Sequence, residues 1–388
     1  MKFSSKLPLW QLAFRPFFIF GAIYSVFAIA LWVANVSSGL PVLDYFVPMI
    51  WHAHEMLYGF TTAIVAGFIL TAVQNWTGVR GIHGIKLQVL VALWFTGRIL
   101  LLLVHTPNGF VAAVDLAFYP MLAFYLAPYL KRPDQKKNRI FILFLALFFT
   151  GNLLVHLDSL QIVQDVALKG IFLGVNTTVL VILLIGGRVI PFFTSRVLPG
   201  AQLRRYLWLE ILSLASVGVF ILTQFFMPDT FLVAIIAFCA GAAHFVRLLG
   251  WQARRVWKIP ILWVLHFAYI WIIAGFFMSG FSALQLIPVS LAVHAFTVGG
   301  IGVMIYGMTS RVSLGHTGRP LTPAKSIVVG YFLINAAALI RVFGPIFMLS
   351  SYLRVIEISG GLWIVAFFIF VLVYLPILLA PRPDGQVG

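Results

Sequence analysis

The sequence predicts an all-α membrane protein with twelve transmembrane helices. Of its 388 residues, 62% are apolar and only 9% are charged, whereas a soluble domain carries roughly 25% charged residues. The mean hydropathy is +1.05. Apolar runs of about 20 residues, the length that crosses the hydrocarbon core of a bilayer, recur along the chain. No long polar block interrupts them, so we expect a single transmembrane domain over residues 1–388.

Polar breaks divide the apolar sequence into twelve spans. Several of the breaks combine Gly, Pro, Asn and Asp, which favour turns. The predicted spans are residues 14–36, 48–75, 86–105, 109–130, 138–157, 168–193, 204–227, 230–250, 259–281, 286–310, 324–347 and 352–379.

The basic residues predict the orientation of the chain. All but four of the 26 lysines and arginines, Lys2 and Lys6 among them, lie in one alternating set of loops and adjoining span ends. The other loops hold acidic residues, which are Asp44, Asp158, Asp165 and Asp229. By the positive-inside rule, the basic loops and both termini are cytoplasmic. The net charge of +16 therefore predicts contact with membrane lipid and no nucleic-acid partner.

Cysteine usage limits the cofactor chemistry. The single cysteine, Cys239, excludes an internal disulfide and an iron–sulfur cluster held by several cysteines. Any metal must be held by His, Met, Asp or Glu side chains.

Polar residues inside the spans are the candidate functional residues, because titratable groups in a membrane are costly and usually functional. Counted at about 1.5 Å per residue from the span ends, His54, His294, Arg98 and Arg341 share one level in the outer leaflet. Asp115 lies near that level. A second group lies slightly closer to the outer face: His52, Glu55, His105 and His156. In the inner leaflet, His244 and His266 lie on neighbouring spans joined by a short loop, so their imidazoles could face each other.

The segment WHAHEM at residues 51–56 is the densest group of donors. His54-Glu55 begins like the zinc-protease motif HExxH, but no second histidine follows at the required spacing, so we reject zinc-protease chemistry. The segment belongs to a weak internal repeat. Pro48, His54, Gly59, Gly67 and Thr77-Gly78 recur 240 residues later, at Pro288, His294, Gly299, Gly307 and Thr317-Gly318. The repeat suggests three pseudo-repeats of four helices each.

Six motifs spread over the chain resemble the NnrS family. They are RPFF at 15–18, WHAHEMLYGF at 51–60, AGFILTAVQNWTG at 66–78, GGRVIPFFT at 186–194, HAFTVG at 294–299 and TSRVSLGHTGRPL at 309–321. The resemblance implies a multi-pass protein of the bacterial inner membrane that contains haem and copper. It also implies a role in the response to nitric oxide, either in denitrification or in defence against nitrosative stress.

Each group of polar residues then has a functional and a structural interpretation. For His54 and His294, these are axial ligation of a b-type haem and hydrogen bonding within the bundle. For Arg98 and Arg341, they are binding of haem propionates and an ion pair with Asp115 or a contact with a helix end. His52, Glu55, His105 and His156 suit copper binding and proton relay, or form a solvated rim. His244 and His266 suit a second haem, a metal or a quinol, or simply tie two helices together.

We therefore predict an oxidoreductase that reduces or detoxifies nitric oxide. Haem held by His54 and His294 would receive electrons, with quinol as a candidate donor, and His52 and Glu55 would serve at the site of reaction. Two alternatives stay open. One is a haem and copper protein that binds nitric oxide or iron-nitrosyl species without turnover. The other is a secondary transporter of a small anion, since twelve spans with a repeat also suit a transporter.

Overall fold

The computed structural model describes residues 7–39, 45–198, 200, 203–228, 230–348 and 351–386. The described residues form helices, turns and bends and contain no strand. Lys2, Lys6, Asp44 and Asp229, which entered the prediction of orientation, lie outside the described residues.

Twelve of the described helices are long and apolar enough to cross a membrane, which confirms the predicted fold class. They are α1 (Phe14–Ser38), α2 (Pro48–Thr77), α3 (Ile85–Leu103), α4 (Gly109–Leu130), α5 (Pro133–Ser159), α6 (Ala167–Val197), α7 (Leu207–Phe226), α8 (Phe231–Leu249), α9 (Pro260–Ala283), α10 (Val289–His316), α11 (Lys325–Phe347) and α12 (Tyr352–Leu379).

Two spans change helix type in the same way. In α2, an α-helical turn over Pro48–His54 passes into a π-helix over Glu55–Thr61. In α10, Val289–His294 is α-helical and Ala295–Gly302 is a π-helix. Each π-helix thus begins directly after one of the two repeated histidines, and single π turns are frequent at functional sites. Apolar periodicity does not reveal these insertions, because both spans are apolar on most sides.

Glycines close the two repeated segments in the same conformation. Gly78 has φ +66° and Gly318 has φ +68°, a left-handed conformation that ends helices and that glycine adopts without strain. The structure therefore supports a repeat between α2 and α10. The sixth span, which would hold the equivalent segment of the middle pseudo-repeat, is α-helical from Ala167 to Val197.

The chain divides into two compact units. The first contains residues 1–174, 312–321 and 367–388. In it, α1 packs against α2, and α4 packs against both α3 and α5. The buried Arg15 side chain donates from Nη1 to the carbonyl oxygens of Leu378 (2.6 Å) and Ala380 (2.8 Å), so it caps the end of α12.

A break in α4 lies beside the polar residues of the first unit. The span consists of an α-helix over Gly109–Leu116 and another over Phe118–Leu130. Pro120 explains the break, since it has no N–H for the carbonyl of residue 116 and its ring crowds that carbonyl. Asp115 lies one residue before the end of the first segment.

The second unit contains residues 175–311 and 322–366. Its central helix is α9, which packs along α8 and against the π-helical part of α10. The π-helical part of α10 also packs against α11. The two units therefore each place one π-helix between neighbouring spans.

Candidate functional site

Asp115 is the centre of a buried polar cluster in the first unit. Its Oδ1 accepts a very short hydrogen bond from Arg98 Nη2. Its Oδ2 accepts from Asn152 Nδ2 at 2.7 Å and from His156 Nε2 at 3.0 Å. Only 4% of the Asp115 surface is exposed, so these donors replace the water that an ionised carboxylate requires.

Glu55 is the second carboxylate of the cluster and is fully buried. Arg98 Nη1 donates to its Oε1 at 2.7 Å, and the Tyr24 hydroxyl makes a very short hydrogen bond to its Oε2. The Arg98 guanidinium therefore bridges Glu55 and Asp115. This geometry matches the structural interpretation of Arg98, an ion pair with Asp115.

His54 links the two carboxylates. Nδ1 lies 2.7 Å from Glu55 Oε1, and Nε2 lies 2.7 Å from Asn152 Oδ1. The Asn152 amide directs its NH₂ group at Asp115, so its oxygen faces His54. His54 and Asn152 therefore form a chain of hydrogen bonds between Glu55 and Asp115 inside a buried cluster.

His156 connects the cluster to the predicted outer side. Its Nδ1 lies 3.4 Å from the hydroxyl of Tyr45, which also donates to the carbonyl of Asn108 at 3.2 Å. Tyr45 lies between α1 and α2, outside the spans. Burial raises the pKa of Tyr45 to about 12, so its hydroxyl keeps its proton at neutral pH.

Five spans position these side chains. Tyr24 comes from α1, His54 and Glu55 from α2, Arg98 from α3 and Asp115 from α4. Asn152 and His156 are four residues apart on α5 and therefore share one face of that helix. His54 and Glu55 lie at the point where α2 becomes a π-helix.

Three members of the cluster can hold a metal ion. One donor atom from each of His54, Asp115 and His156 lies within 4.8 Å of the other two. The two shorter separations run from Asp115 Oδ2 to His54 Nε2 (3.3 Å) and to His156 Nε2 (3.0 Å). Two histidines and one carboxylate are a typical ligand set for non-haem iron(II), and imidazoles also suit copper. An ion at this point would displace the protons that His54 and His156 now direct at oxygen.

The remaining polar residues predicted near the outer face of the first unit lie elsewhere. His52 is half-buried and stacks on Trp32, with ring centres 4.6 Å apart. His105 is exposed and follows the end of α3. Neither belongs to the group of three donors around Asp115.

In the second unit, His294 and Arg341 contact residues that are close to them in the sequence. The half-buried His294 directs Nδ1 at the carbonyl of Ser290, 2.6 Å away on the same helix. Arg341 is also half-buried; its Nη2 donates to the Tyr352 hydroxyl at 3.0 Å, and the guanidinium stacks on that ring.

His244 and His266 are both buried. The Tyr269 hydroxyl lies 2.6 Å from His244 Nδ1 and accepts a hydrogen bond from Arg247 Nη1 at 3.1 Å. Arg247 also pairs with Glu210 through a very short contact. His266 Nδ1 lies 3.0 Å from the carbonyl of Leu262 on its own helix. The predicted histidine pair thus has separate hydrogen-bond partners.

Sequence reasoning did not assign Asn152 and Tyr24 to the site. Other asparagines and tyrosines also lie within the spans, Asn176 and Asn335 among them, so residue type alone did not single out these two. The spacing of Asn152 and His156 on one helix face was the available signal for Asn152. Asp115 was placed at the right depth but was considered only as a partner for Arg98.

Fold and site together define a multi-pass helical membrane protein with a buried cluster of His and Asp donors in its first unit. The family to which it belongs follows from a sequence comparison. The family model described as NnrS protein matches residues 8–382, nearly the whole chain, so the chain belongs to the NnrS family. This membership identifies it as a membrane protein of the nitric oxide response. No curated protein matches the chain.

Proposed function

We propose that the protein is a nitric oxide oxidoreductase of the bacterial inner membrane and that its reaction takes place at a metal ion held by His54, Asp115 and His156. The observation that carries the proposal is the convergence of these three donors in a buried site. Iron(II) suits the ligand set best, and copper suits it as well. A bound ion would supply the binding of nitric oxide and the transfer of electrons to it.

The reaction needs protons as well as electrons. Two molecules of nitric oxide, two electrons and two protons give nitrous oxide and water, with one N–N bond formed and one N–O bond broken. A quinol is the proposed electron donor. Glu55 is the proposed proton-transfer group, because it lies beside His54 and receives the Tyr24 hydroxyl on its other oxygen. Arg98 holds Glu55 and Asp115 at fixed positions.

Haem remains part of the proposal through the family resemblance, with His54 and His294 as predicted ligands. The His54 nitrogens are engaged by Glu55 and Asn152, and Phe46 packs 4.7 Å from the His54 ring. To ligate iron or copper through Nε2, either in a haem or as a bare ion, His54 would have to leave Asn152. The Phe46 ring leaves less space for a macrocycle than for an ion, so the residues around His54 fit a bare ion better.

The test compares three variants of the purified protein: Asp115→Asn, Glu55→Gln and His83→Gln as control. His83 is an exposed histidine of the same unit. After reduction with duroquinol, we would measure bound metal and the consumption of nitric oxide at an electrode. Asp115→Asn should lose both metal and consumption. Glu55→Gln should keep the metal and consume nitric oxide about a hundredfold more slowly, the usual scale for loss of a proton-transfer group. His83→Gln should match the wild type.

Asp115→Glu separates a missing ligand from a misfolded protein, because it restores the carboxylate and should recover part of the metal. The proposal fails if folded Asp115→Asn retains metal and consumption at the wild-type level. If wild-type protein binds nitric oxide without consuming it, the site is a binding site and the oxidoreductase function is wrong.

A further inference from the structure

Arg311 differs from the other buried arginines of the chain. Four described arginines are buried: Arg15, Arg98, Arg247 and Arg311. The first three donate hydrogen bonds to backbone carbonyls, carboxylates or a tyrosine hydroxyl. No hydrogen bond or ion pair joins Arg311 to any described residue, and its Nη1 is buried without a partner. A buried guanidinium without an acceptor is costly, so an acceptor from outside the chain is expected.

The contact that Arg311 does make uses the face of its guanidinium and none of its N–H groups. The guanidinium carbon lies 3.5 Å from the centre of the Phe193 ring, in the same unit. Stacking of this kind uses the face of the guanidinium and leaves the N–H groups around its edge for a planar or tetrahedral anion. The side chain is 7% exposed, so it is held against Phe193 instead of extending into solvent.

A second arginine, Arg196, follows Phe193 closely in the sequence and lies in a second copy of the tetrapeptide that contains Arg311. The tetrapeptide TSRV occurs at 194–197 and again at 309–312. In the first copy, Arg196 is exposed and its guanidinium lies 5.3 Å from the ring of Phe192. The adjacent rings of Phe192 and Phe193 thus each carry an arginine, one exposed and one buried.

Arg311 lies near the predicted cytoplasmic end of its span, where its long side chain can reach the headgroup level. The helix α10 has 28 residues and is therefore about 42 Å long, which exceeds the hydrocarbon core of about 30 Å. Arg311 lies five residues before the helix ends at His316, or about 7.5 Å along the axis. This end of α10 is on the predicted cytoplasmic side, where anionic lipid attracts basic residues.

We propose that Arg311, stacked on Phe193, forms a binding site for a phosphate group at the cytoplasmic membrane surface. The phosphate belongs either to an anionic phospholipid headgroup or to free phosphate. The guanidinium edge would donate to two phosphate oxygens, as arginine does at other phosphate sites. The site is independent of the metal centre proposed in the first unit.

The test measures thermal unfolding of the full chain in an uncharged detergent. The probes are a short-chain phosphatidylglycerol and inorganic phosphate, each titrated separately. The variants are Arg311→Gln, Arg311→Lys and, as control, Arg80→Gln, which changes an exposed arginine of another cytoplasmic loop. For the wild type and for Arg80→Gln, we expect saturable stabilisation by the lipid. Arg311→Gln should bind at least about tenfold more weakly, the loss expected for a charged hydrogen-bond donor. Arg311→Lys should be intermediate.

The outcomes identify the source of the phosphate or overturn the proposal. Stabilisation by the lipid alone identifies a headgroup site, whereas equal stabilisation by inorganic phosphate identifies a site for the free anion. If the Arg311 variants and the Arg80 variant respond to both probes as the wild type does, the site does not exist. If Arg311→Gln does not fold, Arg311→Lys decides, and a Lys variant with unchanged affinity overturns the proposed bidentate contact.

Discussion

The two π-helices have the same type of backbone, but charged side chains surround the first and apolar aromatic side chains surround the second. A Cβ added at Gly59 in the first unit would lie 3.0 Å from Arg98 Nη1 and 3.0 Å from Tyr24 Cε1. A Cβ at the equivalent Gly299 in the second unit would overlap the indole of Trp271. The space that holds an ionic cluster in one unit is filled by an aromatic ring in the other.

A second pair of glycines supports this equivalence. Gly67 faces Phe17 and Phe18 on α1, and Gly307 faces Val264 and Leu265 on α9. The offset between these partners is 247 residues, the same as between Tyr24 and Trp271. At the residue after the repeated histidine, the first unit has Glu55 and the second has Ala295. The repeat thus preserves helix packing and restricts the carboxylates to one unit.

The largest contrast is expected for Arg98 and Arg341, the two arginines at the same predicted depth. Arg98→Leu would remove the cation that bridges the buried carboxylates of Glu55 and Asp115, which should cost about 3–5 kcal/mol of unfolding free energy. Arg341→Leu removes one hydrogen bond of a half-buried side chain and should cost about 1 kcal/mol. Unfolding by denaturant in detergent measures both. Equal losses would show that the charges of the first unit contribute no special stability.

A smaller contrast is expected for the two glycines. Gly299→Ala forces the buried Trp271 ring to move and should cost about 1–3 kcal/mol with metal content unchanged. Gly59→Ala needs only a small shift of Arg98 and Tyr24, so we expect a loss of about 1 kcal/mol or less. Because that shift disturbs Glu55 and Asp115, metal content should fall in this variant. Metal analysis and thermal unfolding of the same samples separate the loss of metal from the loss of stability. If only Gly299→Ala loses metal, the expected difference between the two glycines is wrong.

The fold class could be predicted from the sequence because the length of each apolar run and the charge of each loop are local properties of the chain. Each span can be predicted from its own apolar composition, and each of the twelve predicted spans corresponds to a helix in the structure. Depth counting also placed His54, Arg98 and Asp115 at one level, and the structure joins them through hydrogen bonds and ion pairs.

Depth alone did not decide between the two interpretations of each residue in that level, because depth does not give rotation about a helix axis. For His54 and Arg98, binding of a haem and its propionates stood beside hydrogen bonding within the bundle and an ion pair with Asp115, and in the structure both residues contact carboxylates of their own unit. The π-helix after His54 changes the direction of every following side chain and leaves no trace in composition. His156 was predicted as an outer metal ligand, and its partner Asp115 became evident only from the packing of α4 against α5.

We propose that the metal site lies in the first unit and not in its repeat. The most direct test is the metal stoichiometry of His156→Gln and of His294→Gln beside the wild type, with non-haem metal and haem measured separately. We expect His156→Gln to lose the non-haem ion and His294→Gln to retain it. The account is contradicted if His156→Gln keeps a full complement of non-haem metal while His294→Gln loses it.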